Sequence, residues 1–158
     1  MELNIRTLGD PVLRKKAKKV KQITAGHRQL LSKMARTMYA AGGVGLAAPQ
    51  VGNDEALIVI DAGTGLYKLI NPKIVKKEGR QALEEGCLSV PGVSVKVKRA
   101  KKIIVQALDE DALPLTIEAQ NLLAVVFQHE IDHLEGKLII DYASFFKKML
   151  LKKKIKKI

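Results

Sequence analysis

A chain of 158 residues, 47% hydrophobic and 28% charged but only 4% aromatic, is long enough for one domain with a mainly aliphatic core. No apolar run reaches the roughly 18 residues that a membrane-spanning helix needs; the start, MELNIRTLGDP, has no apolar signal region, and the single cysteine cannot form an internal disulfide, so the expected setting is the cytoplasm. The net charge of +12 is clumped at 14–21, 96–102 and 147–157, and such clusters attract nucleic acid or another polyanion at low salt.

Residues 25–41 carry Leu30, Leu31, Met34 and Met38 at helical spacing, and Gly42-Gly43 then stop the helix. ALIVI (56–60) and LYKLI (66–70) read as buried strands around a turn, with Asn71-Pro72 breaking the second. IVKK (74–77) and VSVKVK (93–98) read as strands, the latter alternating cleanly. KIIVQALD (102–109) and LPLTIEA (113–119) form a hairpin around Asp109-Glu110-Asp111. NLLAVVFQHEIDHLEG (121–136) is a long helix, capped at or near Asn121 and stopped by Gly136. The tail KKMLLKKKIKKI (147–158) suits a helix with one apolar stripe and a cationic face. Helix, many short strands, helix is an α+β pattern with mostly antiparallel sheets. A single domain over 1–146 and a basic amphipathic tail over 147–158 are expected.

The chemistry concentrates in the second long helix. His129 and His133 are four apart and therefore lie on one face, beside Leu122, Val125 and Val126, so the histidines point to the core. With Glu130 between them they make HExxH, a pair of metal ligands with an adjacent proton-handling carboxylate. The pattern nearly continues as HExxHxxGxxH, but its last position is Ile139, and the only later carboxylate beyond Glu135 is Asp141. A third ligand must come from upstream, where the candidates are His27 and Cys87. His27 lies among polar residues and is expected to be an exposed side chain. Cys87, in EEGCLSVPG, follows a glycine that permits close backbone approach, and Pro91-Gly92 is expected to end that segment sharply. A thiolate with two imidazoles suits zinc or ferrous iron. Three protein ligands leave a position for water, as in a catalytic site. With Glu130 moving the proton, the expected reaction is hydrolysis of an amide-like carbonyl. GGVGLAAPQ (42–50) could lie against a substrate backbone and offers the Gln50 amide to a developing oxyanion.

GVGLAAPQ (43–50), EGCLS (85–89) and QHEIDHL (128–134) resemble the three signature motifs of peptide deformylase, in order and spacing, and GDPVLRKKA (9–17) resembles that family too. The likeness spans about residues 5–145. It implies a catalytic domain that removes the N-formyl group from the initiator methionine of nascent chains and releases formate. It also implies sheets packed around a central metal-binding helix, with an N-terminal helix and a basic C-terminal helix. Carried over, Cys87, His129 and His133 hold the metal and Glu130 is the general acid/base. The Gln50 side chain and the Leu88 backbone N–H stabilise the oxyanion. Gly45 and Gly86 meet the substrate main chain. Val44, Leu122, Val125, Val126 and the apolar part of His129 line the methionine pocket, and Arg99 helps bind the peptide. The metal is usually ferrous iron (Fe2+), with Zn2+, Ni2+ or Co2+ as substitutes. The partners implied are a formyl-methionyl peptide and, through the basic tail, the ribosome surface near the exit tunnel, with no membrane and a monomeric state.

Two rival readings have their own sequence marks. A metallopeptidase would share HExxH but would not account for the Cys87 motif or the Gln50 loop. A catalytically silent RNA- or ribosome-binding protein with this fold would not need Glu130, Gln50 and all three ligand candidates intact.

Overall fold

The computed structural model describes residues 2–155. Helix α1 (Ala25–Ala40) is followed by strands β1 (Gly45–Ala47), β2 (Leu57–Ile60), β3 (Tyr67–Glu78), β4 (Gln81–Cys87), β5 (Val90–Arg99), β6 (Lys102–Leu108) and β7 (Pro114–Gln120). Helix α2 (Asn121–Leu134), a 3-10 turn at Ile139–Tyr142 and helix α3 (Phe145–Ile155) complete the chain. All strand pairs within the sheets are antiparallel, and the class is α+β as expected. One sheet runs β1-β2-β3-β6-β7 and the other is the β4-β5 pair alone. Among the described residues β1 therefore pairs on one side only, and so does β4.

Strand β2 shows why the larger sheet has helices on both faces. Its four residues are all fully buried, and period two divides them. Leu57 and Val59 join Leu31, Met34 and Met38 of α1 in one cluster. Ile58 and Ile60 join Ala124, Val126 and Phe127 of α2 in another. A continuous apolar run is what a strand covered on both sides requires. In β5 the alternation predicted over 93–98 holds, with Val95 and Val97 inward and Lys96 and Lys98 outward. Those valines pack with Val90, Ile139, Ala143 and Leu151 in a third cluster.

Several expectations are corrected. Asn71-Pro72 does not end β3: 67–70 and 74–77 belong to one strand, with a register shift between Ile70 and Lys73. Asn71 takes a left-handed φ of 53°, which asparagine tolerates, and its amide is held by the backbone of Val20 at 2.9 and 2.8 Å. Pro91-Gly92 does not end its segment either, because β5 starts at Val90 and runs through both. His27 is not an exposed side chain: it is 14% exposed, and its Nε2 lies 2.9 Å from Glu55 Oε2. Helix α3 has apolar residues on two sides. Leu151 is buried, whereas Phe145, Phe146, Met149 and Leu150 are 50–78% exposed. Lys156, Lys157 and Ile158 lie outside the described residues. The stop at Gly136 stands: its φ is +76°, and a Cβ there would lie 2.5 Å from the Arg14 carbonyl oxygen.

Candidate metal centre

Helix α2 and the end of β4 build the site together. The α2 face that carries Ala124, Phe127 and Leu134 is fixed in the core, which turns the adjacent face, with His129 and His133, toward the β4-β5 pair. Cys87 Sγ lies 3.4 Å from His133 Nε2, and His133 Nε2 lies 3.3 Å from His129 Nε2. All three donor atoms fall within 4.8 Å of one another, and no other such group of histidine, cysteine or carboxylate occurs among the described residues. His27 is not part of it. The chemistry of this donor set fits a divalent cation. One thiolate and two imidazole nitrogens converge, and hydrogen bonds between them could satisfy only part of the cluster.

The second nitrogen of His129 fixes its tautomer. Nδ1 lies 2.9 Å from Glu85 Oε1, so the carboxylate accepts the Nδ1–H and leaves the Nε2 lone pair facing the cluster. Among the protein groups alone His129 is pushed up to about 10: burial opposes its charge, but the hydrogen bonds of Cys87 and Glu85 and the nearby Glu130 outweigh it. A bound cation would take the place of that proton. His133 is held well below its usual value, first by burial and then by the charges of His129 and Arg99. That keeps it neutral, as a ligand must be. Its Nδ1 is buried without a hydrogen-bond partner among the described residues.

Glu130 lies beside the donors, with Oε1 3.7 Å from His129 Nε2. Burial is the main cause that pushes its carboxyl up to about 7, against the opposing charge of His129. A carboxyl of that strength can take and return a proton near neutral pH. Its Oε2 is buried and has no partner among the described residues, so an acceptor is free at the cluster. Gln50 is 1% exposed. Its Oε1 accepts the Ala47 backbone N–H at 2.9 Å, so the amide nitrogen points the other way, 3.1 Å from Ser89 Oγ and 3.6 Å from Cys87 Sγ.

A cleft of about 650 Å³ opens over these atoms. Val44, Gly45, Gly86, Leu122, Val125 and Val126 line it, as do Gln50, Cys87, Leu88, His129 and Glu130. Its walls come from β1 with its preceding loop, from β4 and the start of β5, and from α2. A Cβ at Gly45 would sit 2.8 Å from Glu130 Cγ and Oε1, so any larger residue there would have to displace the Glu130 side chain.

Arg99, expected to help bind the peptide, is not among the residues that line the cleft. It is 7% exposed and lies behind the donors, where Nε and Nη2 donate to both oxygens of Glu85 at 2.9 Å. Nη1 donates to Asp132 Oδ2 at 2.6 Å. Strand alternation explains the difference: Val95, Val97 and Arg99 share the inward face of β5. Burial opposes the charge of Arg99, but the two carboxylates raise its affinity for the proton further. Glu85 stays ionised for the converse reason: burial opposes, and the bonds from His129 and Arg99 prevail.

Sequence reasoning missed Glu85, Ser89, Asp132 and Tyr142. A signal existed for Glu85. A ligating histidine almost always donates its other N–H, and residues two apart on a strand share a face, so Glu85 and not Glu84 accompanies Cys87.

With this geometry in view, the comparisons with known proteins agree. A family model described as polypeptide deformylase matches residues 2–149. The chain is 55% identical over 137 residues to the peptide deformylase of Syntrophomonas wolfei subsp. wolfei, covering 87% of this chain and 90% of that one. It is 54% identical over 141 residues to that of Halothermothrix orenii, covering 88% and 92%. The crystal structure of a peptide deformylase from Legionella pneumophila superposes with a TM-score of 0.94 at 44% identity, covering 99% of this chain and 95% of that one.

Proposed function

The chain belongs to the polypeptide deformylase family and removes the formyl group from nascent peptides, and on that premise we propose that Cys87, His129 and His133 hold the divalent metal of the reaction while Glu130 serves as general acid and base. The observation that carries this reading is the convergence of the three donor atoms within 4.8 Å, with the Glu130 carboxylate beside them. A cation bound there supplies Lewis acidity toward the formyl carbonyl and toward water.

The chain's own groups supply the rest. Glu130 accepts the proton of the attacking water and returns it to the leaving amine, which frees formate and the methionyl N-terminus. The Gln50 amide N–H and the Leu88 backbone N–H stabilise the negative charge on the carbonyl oxygen. Val44, Leu122, Val125, Val126 and the ring edge of His129 receive the methionine side chain, and Gly45 and Gly86 lie against the substrate backbone. A formyl carbon bears only hydrogen, so a crowded floor admits it and excludes an acyl chain.

The metal in the cell is assigned as ferrous iron; metal analysis of protein purified without oxygen tests that. Residues 1–146 form the catalytic domain, and the chain works as a monomer in the cytoplasm. No helix among the described residues is long and apolar enough to cross a membrane. The tail 147–158 docks on the ribosome near the exit tunnel. Supporting this are the exposed Lys148, Lys152 and Lys153 of α3 beside Phe145, Phe146, Met149 and Leu150. Removing 147–158 should abolish salt-sensitive ribosome binding and leave formate release intact; binding unchanged by truncation refutes the docking.

The central test is formate release from a formyl-methionyl peptide by the cobalt-loaded chain. Glu130→Gln should lower the rate by about 10²–10⁴-fold with cobalt still bound. Cleavage of an unformylated peptide would mark a metallopeptidase instead.

A further inference from the structure

Behind the donor cluster a chain of polar contacts leads from His129 to the surface, and the proposed function uses none of its outer part. His129 donates to Glu85, both oxygens of Glu85 are gripped by Arg99, and Arg99 reaches Asp132. The last member is Tyr142. Its hydroxyl donates to Asp132 Oδ2 at 2.6 Å and accepts from Arg99 Nη1 at 3.3 Å. The guanidinium carbon of Arg99 also stands 4.8 Å from the centre of the Tyr142 ring. Arg99 and Glu85 have side-chain exposures of 4% and 6%, while Tyr142 as a whole is 39% exposed. Tyr142 is thus the lid between a buried ion network and water.

We propose that Tyr142 is a positioning residue for the metal centre, acting through Asp132, Arg99 and Glu85 on the orientation of His129. This rests on the reading that Cys87, His129 and His133 hold the cation. Three features support it. A buried guanidinium has no rotational slack when every face is engaged, and Tyr142 supplies both its stacking face and an acceptor for Nη1. The hydroxyl also holds Asp132, which stands one residue before the ligand His133. Finally, Tyr142 comes from outside the site's own elements. Its 3-10 turn is anchored by Asp141, whose carboxylate accepts two bonds from Arg14 at 2.7 and 3.1 Å and one from the Leu138 N–H at 3.0 Å. The segment after α2 therefore braces the site from behind.

The test uses the full chain loaded with cobalt(II), whose visible absorption reports the coordination. Tyr142→Phe keeps the ring and deletes only the hydroxyl. It should lose cobalt to a chelator roughly three- to tenfold faster than the parent, less than the effect of removing a direct partner of a ligand. Its kcat should fall while KM stays within about twofold. Asp132→Asn should behave alike, and the double variant should show less than the product of the two effects, as for members of one network. If Tyr142→Phe retains parental cobalt loss and kcat, whatever its melting temperature does, Tyr142 only supports the fold and the proposal is overturned. Failure of the parent chain itself to take up one cobalt would overturn the metal assignment, and this proposal with it.

Discussion

Replacing Gly45 by alanine adds one methyl group where β1 passes close to Glu130 of α2. The new Cβ would lie 2.8 Å from Glu130 Cγ and Oε1 and 2.9 Å from Cδ. Carbon atoms prefer about 3.5–4.0 Å, so something must give by roughly 1 Å. The backbone of β1 has little room, since it is paired to β2 from Gly45 through Ala47. The Glu130 side chain, only 4% exposed, cannot swing into solvent. The strain should cost about 1–3 kcal/mol of stability, as overpacking does. Alanine is otherwise compatible with this position, whose φ is not in the left-handed region. The catalytic effect should be larger than the structural one. A base displaced by about 1 Å loses on the order of 10²-fold in rate, which is about 2.7 kcal/mol of transition-state stabilisation. The assay is formate release with kcat and KM resolved, alongside cobalt content and a melting curve. Activity within twofold of the parent, with full metal, would show that the close approach does not position the base.

Other perturbations test other parts. Glu85→Gln should weaken metal retention by about 10–100-fold, measured by chelator competition, because His129 loses its ionised acceptor. It should also cost several kcal/mol in urea unfolding, since Arg99 keeps only Asp132 as a charged partner. The same variant reports a pH dependence. The Glu85 pKa is lowered in the folded chain, so between that value and its unfolded value the unfolded state binds more protons. Its contribution is therefore complete above the unfolded value and is lost as pH falls through the folded one. Stability of the parent should rise with pH across the acid range more steeply than that of Glu85→Gln; equal slopes would contradict this. Gly136→Ala should destabilise by about 1–3 kcal/mol, since it forces both a left-handed alanine and a clash with the Arg14 carbonyl. Arg14→Ala should change stability by no more than about 1 kcal/mol, because its pair with Asp141 is exposed at 44% and 39%.

How much of the molecule was legible in the sequence depends on how local each signal is. The α2 helix, its stop at Gly136 and the inward turn of both histidines come from a 3.6-residue period over fourteen residues. The β6-β7 hairpin and the alternation of β5 are equally local. Cys87 emerged by elimination, as one of two upstream candidates. The misses share a cause, in that a distant residue decided a local conformation. Asn71 continues β3 because Val20, fifty-one positions away, takes both ends of its amide. His27 is held by Glu55, and the two carboxylates that Arg99 faces, Glu85 and Asp132, come from other elements. Period alone could have placed Arg99 inward with Val95 and Val97. It could not have shown that an arginine there would find two acids waiting.

The cleft lies between two strands that each pair on one side only. The start of β1 and its preceding loop offer the main chain of 42–45 and β4 that of 83–87, beside Cys87, His129 and Glu130. An extended polypeptide laid between them can be held by backbone amides and carbonyls on both flanks, as an added strand would be. Such a grip is indifferent to the identity of the second and later residues, because successive side chains point away from the ladder. An enzyme that removes formyl groups and holds its substrate in this way would treat everything downstream as plain backbone.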